Sequence, residues 1–215
     1  MMKVYRMMAA ALALMTGLAF SAQGASALDP EQQAIVEALT TAGASINTLQ
    51  CDFVQTREMK MMEGKMVTYG KMWYSSPSRL RWEYMKPEPG LFVLNGDKAL
   101  MSNAKGSRQE DASSNKMIKG ISSMMLGSIS ASFLDDARTF ATTLSEENGD
   151  WVATMIPQRR DMKQMWKSIV IRFDKKTKTA KVIVLNEAGG DRSTIEFSNV
   201  ILNKDIPEEV FSVNR

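Results

Sequence analysis

Apolar residues recur at three-to-four spacing near the start of the chain, at spacing two through the next stretch, at three-to-four again, and at two until the end. From Asp29-Pro30, Ile35, Val36 and Leu39 follow the helical period, with Asp29 placed to cap and Pro30 to open the first turn. The spacing predicts a helix to about Gly43 and then strands, because Leu49, Cys51 and Phe53 alternate with polar neighbours up to Met62. Gly64 turns the chain into a strand ending at Tyr74, and Ser75-Ser76-Pro77-Ser78 turns it again. In the next strand Leu80, Trp82 and Tyr84 share one face and Arg79, Arg81 and Glu83 the other, so one side must cover something oily. Pro87 and Pro89 end it, and Leu91–Leu94, Asn95-Gly96 and Lys98–Ser102 read as a hairpin.

Between Ser107 and Phe133 the strand pattern stops. Met117, Ile118, Ile121, Met124 and Met125 describe one face of an amphipathic helix, with Ser113, Ser114 and Asn115 as candidate caps. Alternation resumes over Arg138–Ser145, Trp151–Ile156, Lys167–Phe173, Ala180–Asn186 and Ser193–Val200, punctuated by Asn148-Gly149 and Gly189-Gly190. About ten or eleven strands with short connections and one inserted helix predict a mainly β fold, an antiparallel sheet curled into a whole or partial barrel.

Ahead of this pattern, Lys3 and Arg6 precede an apolar run from Met7 to Phe20, and Ala25-Ser26-Ala27 supplies small residues for cleavage. We read residues 1–27 as a secretory signal, with cleavage before Ala25 as the other option, and residues 28–215 as one domain. Removing Lys3 and Arg6 from a net charge of +3 leaves +3 − 2 = +1, without the basic run of a nucleic-acid footprint. The single cysteine, Cys51, permits no internal disulfide and shares a face with Leu49 and Phe53.

The sequence contains no histidine, which removes the usual general base, the usual zinc ligand and every Ser-His or Cys-His pair. The adjacent carboxylates Glu110-Asp111, Asp135-Asp136 and Glu146-Glu147 fall near turns or helix ends, where solubility accounts for them. No phosphate loop or dinucleotide fingerprint occurs, so neither an enzyme nor a cofactor is expected. Methionine is the anomaly. Of 18, five lie in residues 1–27, leaving 18 − 5 = 13, and those at Met117, Met124 and Met125 crowd one side of the inserted helix. A flexible, polarizable face of that kind suits a movable cover over an apolar concave sheet.

Several segments, in one order, resemble the LolA family of periplasmic outer-membrane lipoprotein carriers. They are Leu49-x-Cys51-x-Phe53-x-Gln55, then Gly70-x-x-Trp73-x-x-x-Pro77-x-x-Leu80-Arg81-Trp82-Glu83-Tyr84-x-x-Pro87 with Asn95-Gly96, and Ser193 to Val200 followed by Asn203, Ile206-Pro207 and Phe211. The resemblance implies an incomplete antiparallel barrel lidded by short helices, whose apolar cavity holds lipoprotein acyl chains. It implies an inner-membrane lipoprotein-releasing transporter and an outer-membrane acceptor as partners, with the carrier a periplasmic monomer. On this expectation Phe53, Leu80, Trp82, Tyr84, Phe92 and Leu94 line the cavity and Met117, Ile121, Met124 and Met125 form the lid. The chain departs from the pattern at Ser76, where many members carry a basic residue, and at Leu100 and Met101, where aromatics are common. The competing reading is an envelope sensor or interaction module of the same fold that binds lipidated proteins or other lipids.

Overall fold

A computed structural model describes residues 28–61 and 64–214, without the side chains of Lys116 and Met117; the expected signal lies outside them. The chain opens with α1 (Pro30–Ala44), where the Asp29 side chain accepts a hydrogen bond from the Gln32 N–H at 2.8 Å and Pro30 occupies the first turn. Six strands follow: β1 (Thr48–Glu58), β2 (Lys65–Ser75), β3 (Arg79–Lys86), β4 (Gly90–Asn95), β5 (Lys98–Asn103) and β6 (Gly106–Asp111). Then come α2 (Lys116–Ser130) and a 3-10 turn at Ser132–Asp135, before β7 (Phe140–Glu147), β8 (Asp150–Pro157), the short α3 (Arg160–Met165), β9 (Trp166–Asp174), β10 (Ala180–Glu187) and β11 (Arg192–Leu202).

The strands make one antiparallel sheet of 11, in the order β6-β5-β4-β3-β2-β1-β11-β10-β9-β8-β7. Two meanders therefore run outward from a central seam, β1 against β11, and end in two edges, β6 and β7. The segment carrying α2 links those two edges in sequence, and the helix packs beside α1 and the 3-10 turn. Tight turns fall where the sequence placed them: Asn148 and Gly149 both take positive φ, as a hairpin of this type requires, as does Gly96.

Two expectations are corrected. The strand pattern does not stop at Ser107, since β6 pairs with β5 from Asn103↔Gly106 to Lys98↔Asp111. Its residues are almost all exposed, so an edge strand wet on both faces carries no alternation to read. The second correction concerns the outer face of β2–β5, which is not simply wet. The tail crosses it, and Phe211 and Val213 pack on Val93 and Leu100 as a small second core with Trp73, Leu91, Ile206 and Val210. Arg79 and Arg81 lie on this face as the alternation requires, yet they are tied under the tail. Arg79 pairs with Glu208 at 3.2 Å and Arg81 donates to the Val210 carbonyl at 3.3 Å, while Asn95 donates to the Phe211 carbonyl at 3.1 Å.

The inner face carries the main core. Cross-strand neighbours Cys51, Met72, Trp82 and Phe92 form one row and Leu49, Tyr74, Leu80, Leu94 and Ala99 the next. Val36 and Leu39 of α1, Ile118 of α2 and Leu134 of the 3-10 turn join the same buried cluster. Burial of this continuous apolar face is what holds the helices on the sheet.

Candidate functional site

The inner-face aromatics meet at one place. Phe53 stacks on Trp82 with ring centroids 4.1 Å apart, and Tyr84 meets both edge-on at 5.6 and 6.2 Å. Backbone register explains the meeting, because Phe53 lies opposite Gly70 and Gly70 opposite Tyr84. A Cβ at Gly70 would overlap the Phe53 ring and the Glu83 carbonyl, so glycine is what lets the phenyl ring lie across β2. Phe197 of β11, directly opposite Phe53, completes the group with its ring 6.3 Å from Trp82. The predicted set omits Phe197, although its alternation with Ile195 in the last strand carried the signal.

Phe53 and Trp82 are 1% and 6% exposed; Leu80 and Leu94 are buried and Tyr84 and Phe92 half-buried, all in one cluster. The floor becomes polar toward the end of β1. Tyr84 donates to the Gln55 side-chain oxygen at 3.1 Å, and beyond it the Arg57 guanidinium holds Asp191 at 3.1 Å and Glu187 at 3.3 Å. Burial pushes the Tyr84 phenol up, tempered by the nearby Trp82 indole N–H and the Arg57 charge. That indole N–H is itself buried without a partner in hydrogen-bond geometry among the described residues. The Cys51 thiol is pushed up to about 12, by burial first and by Asp52 second, which leaves it unsuited to nucleophilic chemistry. Among the described residues no three carboxylate or thiol side chains gather to hold a metal.

The inserted helix α2 keeps Ile118, Met124 and Met125 of the predicted face toward the core and is rotated away from Ile121. Ile118 and Ser122 are buried and Met124, Met125, Leu126 and Ile129 half-buried, while Ile121 is 42% exposed. The buried stripe follows 118, 122, 126 and 129, so Ile121 points outward and is not a lid contact. Met117 lies outside the described side chains. Asn115 caps the helix, accepting from the Ile118 N–H at 3.3 Å. The cover is locked by close backbone approaches: a Cβ at Gly43 of α1 would overlap the Ser130 carbonyl of α2, and one at Gly127 would overlap the Phe133 ring. Ser122 Oγ is buried with no hydrogen-bond partner among the described residues, a weak point in the helix–sheet seam. Ser76 is exposed in the β2–β3 turn, where its N–H donates to the Asn47 carbonyl at 2.7 Å.

An open antiparallel sheet with an aromatic floor and a helical cover defines a binding protein of the lidded half-barrel kind. Residues 44–214 match the family model described as outer membrane lipoprotein carrier protein LolA, and the chain belongs to that family. No curated protein matches the sequence. Among solved structures, the MucA/MucB complex of Pseudomonas aeruginosa superposes with a TM-score of 0.54 at 13% identity, over 86% of this chain and 61% of that one. An uncharacterized conserved protein of Thermus thermophilus gives 0.54 at 9% identity, over 84% and 92%. A LolA superfamily protein of Nitrosomonas europaea gives 0.46 at 9%, over 84% and 97%. At these identities the likeness is one of fold.

Proposed function

We propose that the protein is a non-enzymatic periplasmic carrier that takes lipoprotein acyl chains between its aromatic floor and the α2 cover. On this reading it receives cargo from an inner-membrane transporter and delivers it to an outer-membrane acceptor. The observation that carries the reading is the convergence of Phe53, Trp82, Tyr84 and Phe197 on the inner face, in the same apolar cluster as the half-buried Met124 and Met125 of α2. Such a floor offers dispersion contacts to any alkyl chain, and the methionines can repack around chains of different length. Gln55 and Tyr84 mark where apolar floor gives way to polar mouth, a suitable place for an acyl ester or amide. The cover must move for this to happen, since the apolar area it buries has to be taken over by cargo.

Mass spectrometry of protein isolated from the periplasm tests the proposal, with acylated lipoprotein or its lipid expected to co-purify. A disulfide fixing α2 to the sheet is expected to abolish binding of a fluorescent fatty-acyl probe. Unaltered probe binding in the crosslinked protein, or no acyl species bound at all, would sink it. The similarity to MucB, solved in complex with MucA, keeps a second reading, an envelope interaction module. Recovery of a non-acylated protein partner in place of lipid would favour that one.

A further inference from the structure

The two ends of the sheet differ. At one end lie the β1–β2, β3–β4, β5–β6, β8–β9 and β10–β11 connections, and seven of the ten large apolar side chains exposed among the described residues fall there: Met61, Met66, Val67, Tyr69, Met85, Ile156 and Met165. Met61 is 96% exposed, at the tip of a turn. The central part of this end is continuous. Glu58 pairs across to Lys65 and to Arg192, the Lys60 N–H donates to Asp191 at 3.1 Å, and the Ala188 N–H donates to the Met165 carbonyl at 2.9 Å. Met61, Met66 and Met165 therefore sit around one surface.

Charge on that surface is unevenly satisfied. Most of the carboxylates are engaged, Glu187 and Asp191 by Arg57, Glu58 by Lys65 at 2.7 Å, and Asp161 by Arg159 at 2.6 Å, while Glu88 in the β3–β4 connection is exposed without an ion pair to a described residue. Lys60, Arg160, Lys163, Lys167 and Arg192 are exposed and make no ion pair with a described residue. Around the same turns, long flexible apolar side chains stand out among free cations. A partner that accepts alkyl groups and offers dense negative charge at the same depth is the interface of an anionic bilayer, where methionine enters the acyl boundary and lysine meets headgroup phosphate. We propose that this end of the sheet docks on membrane surfaces rich in anionic lipid. No described helix is long and apolar enough to cross a membrane, so the contact is peripheral. It places the polar mouth near Gln55 and Arg57, on the same strand end, close to the surface from which an acyl chain is drawn. The inference concerns the outer rim and does not depend on the cargo reading.

The test is sedimentation of the chain starting at residue 28 with vesicles of phosphatidylcholine alone and with phosphatidylglycerol added. Binding is expected to the anionic vesicles only and to fall with added salt. Lys60→Glu with Lys167→Glu is expected to lower partitioning by at least tenfold, at about fivefold per basic residue removed, and Met61→Ser to lower it further. Lys176→Glu with Lys204→Glu, at the far end, is the control and is expected to bind as wild type. Equal binding to neutral vesicles, no binding to either, or equal losses in rim and far-end variants would overturn the proposal. Fatty-acyl probe binding, measured on the same rim variants, is expected to be unchanged. That second readout separates failure of docking from failure of acyl binding.

Discussion

Trp82 is asked to be both core and contact surface. Stacked on Phe53 and nearly sealed, it looks like a residue whose truncation to alanine would cost about 3–5 kcal/mol. As a wall against which cargo lies, it should matter more for affinity than for folding. Trp82→Phe is expected to keep the fold, with a small drop in melting temperature, and to weaken fatty-acyl probe binding. A large drop in melting temperature with unchanged probe binding would make it ordinary core. Cys51 supplies a residue-scale contrast: its thiol, pushed up to about 12, is expected to resist alkylation at pH 8 in the native protein and to react at once in denaturant. Mass shifts with iodoacetamide read both states, and rapid native labelling would mean that this part of the inner face opens readily.

At the scale of elements, α2 is held through Ile118, Ser122, Met125, Leu126 and Ile129, and not through Ile121. Ile118, fully buried, is expected to cost about 2–5 kcal/mol when replaced by alanine, whereas Ile121→Ser is expected to change stability by less than about 0.5 kcal/mol. Chemical denaturation of the two variants checks this, and a larger loss at Ile121 would mean that the helix is seated the other way round. The helix itself was legible in the sequence because five apolar residues shared a period. Its rotation was not, because Ser122 on the buried stripe breaks the apolar pattern and the decision falls to packing against the 3-10 turn and α1. The strands with one wet face could be read from Leu49 to Tyr84 by alternation alone. β6 could not, since an edge strand composed of Gly106, Ser107, Arg108, Gln109, Glu110 and Asp111 owes its conformation to backbone pairing with β5. α3 is too short, at six residues, to leave a period at all. Of the candidate floor, Trp82 and Phe53 announced themselves separately, but that they touch depends on Gly70, whose missing side chain gives no hydrophobic signal.

For the whole molecule, the tail is a second fastening on the sheet's far side. Phe211 is fully buried between Val93, Leu100 and the Arg79 guanidinium, 5.5 Å above the ring. Phe211→Ala is therefore expected to cost about 3–5 kcal/mol without reducing probe binding, since it lies on the face opposite the aromatic floor. Thermal melting and probe titration together decide it, and lost binding at preserved stability would mean that the tail communicates with the floor through the strand between them. The central seam has a consequence of another kind. Its two members are the first and the last of the described strands, paired from Leu49↔Leu202 to Glu58↔Arg192. A polypeptide made from its N-terminus can assemble β1–β6 early, yet one side of β1 stays open until β11 arrives. On the periplasmic reading proposed above, time spent crossing the membrane is time spent unable to finish the fold, and the bare side of β1 must be guarded until β11 emerges.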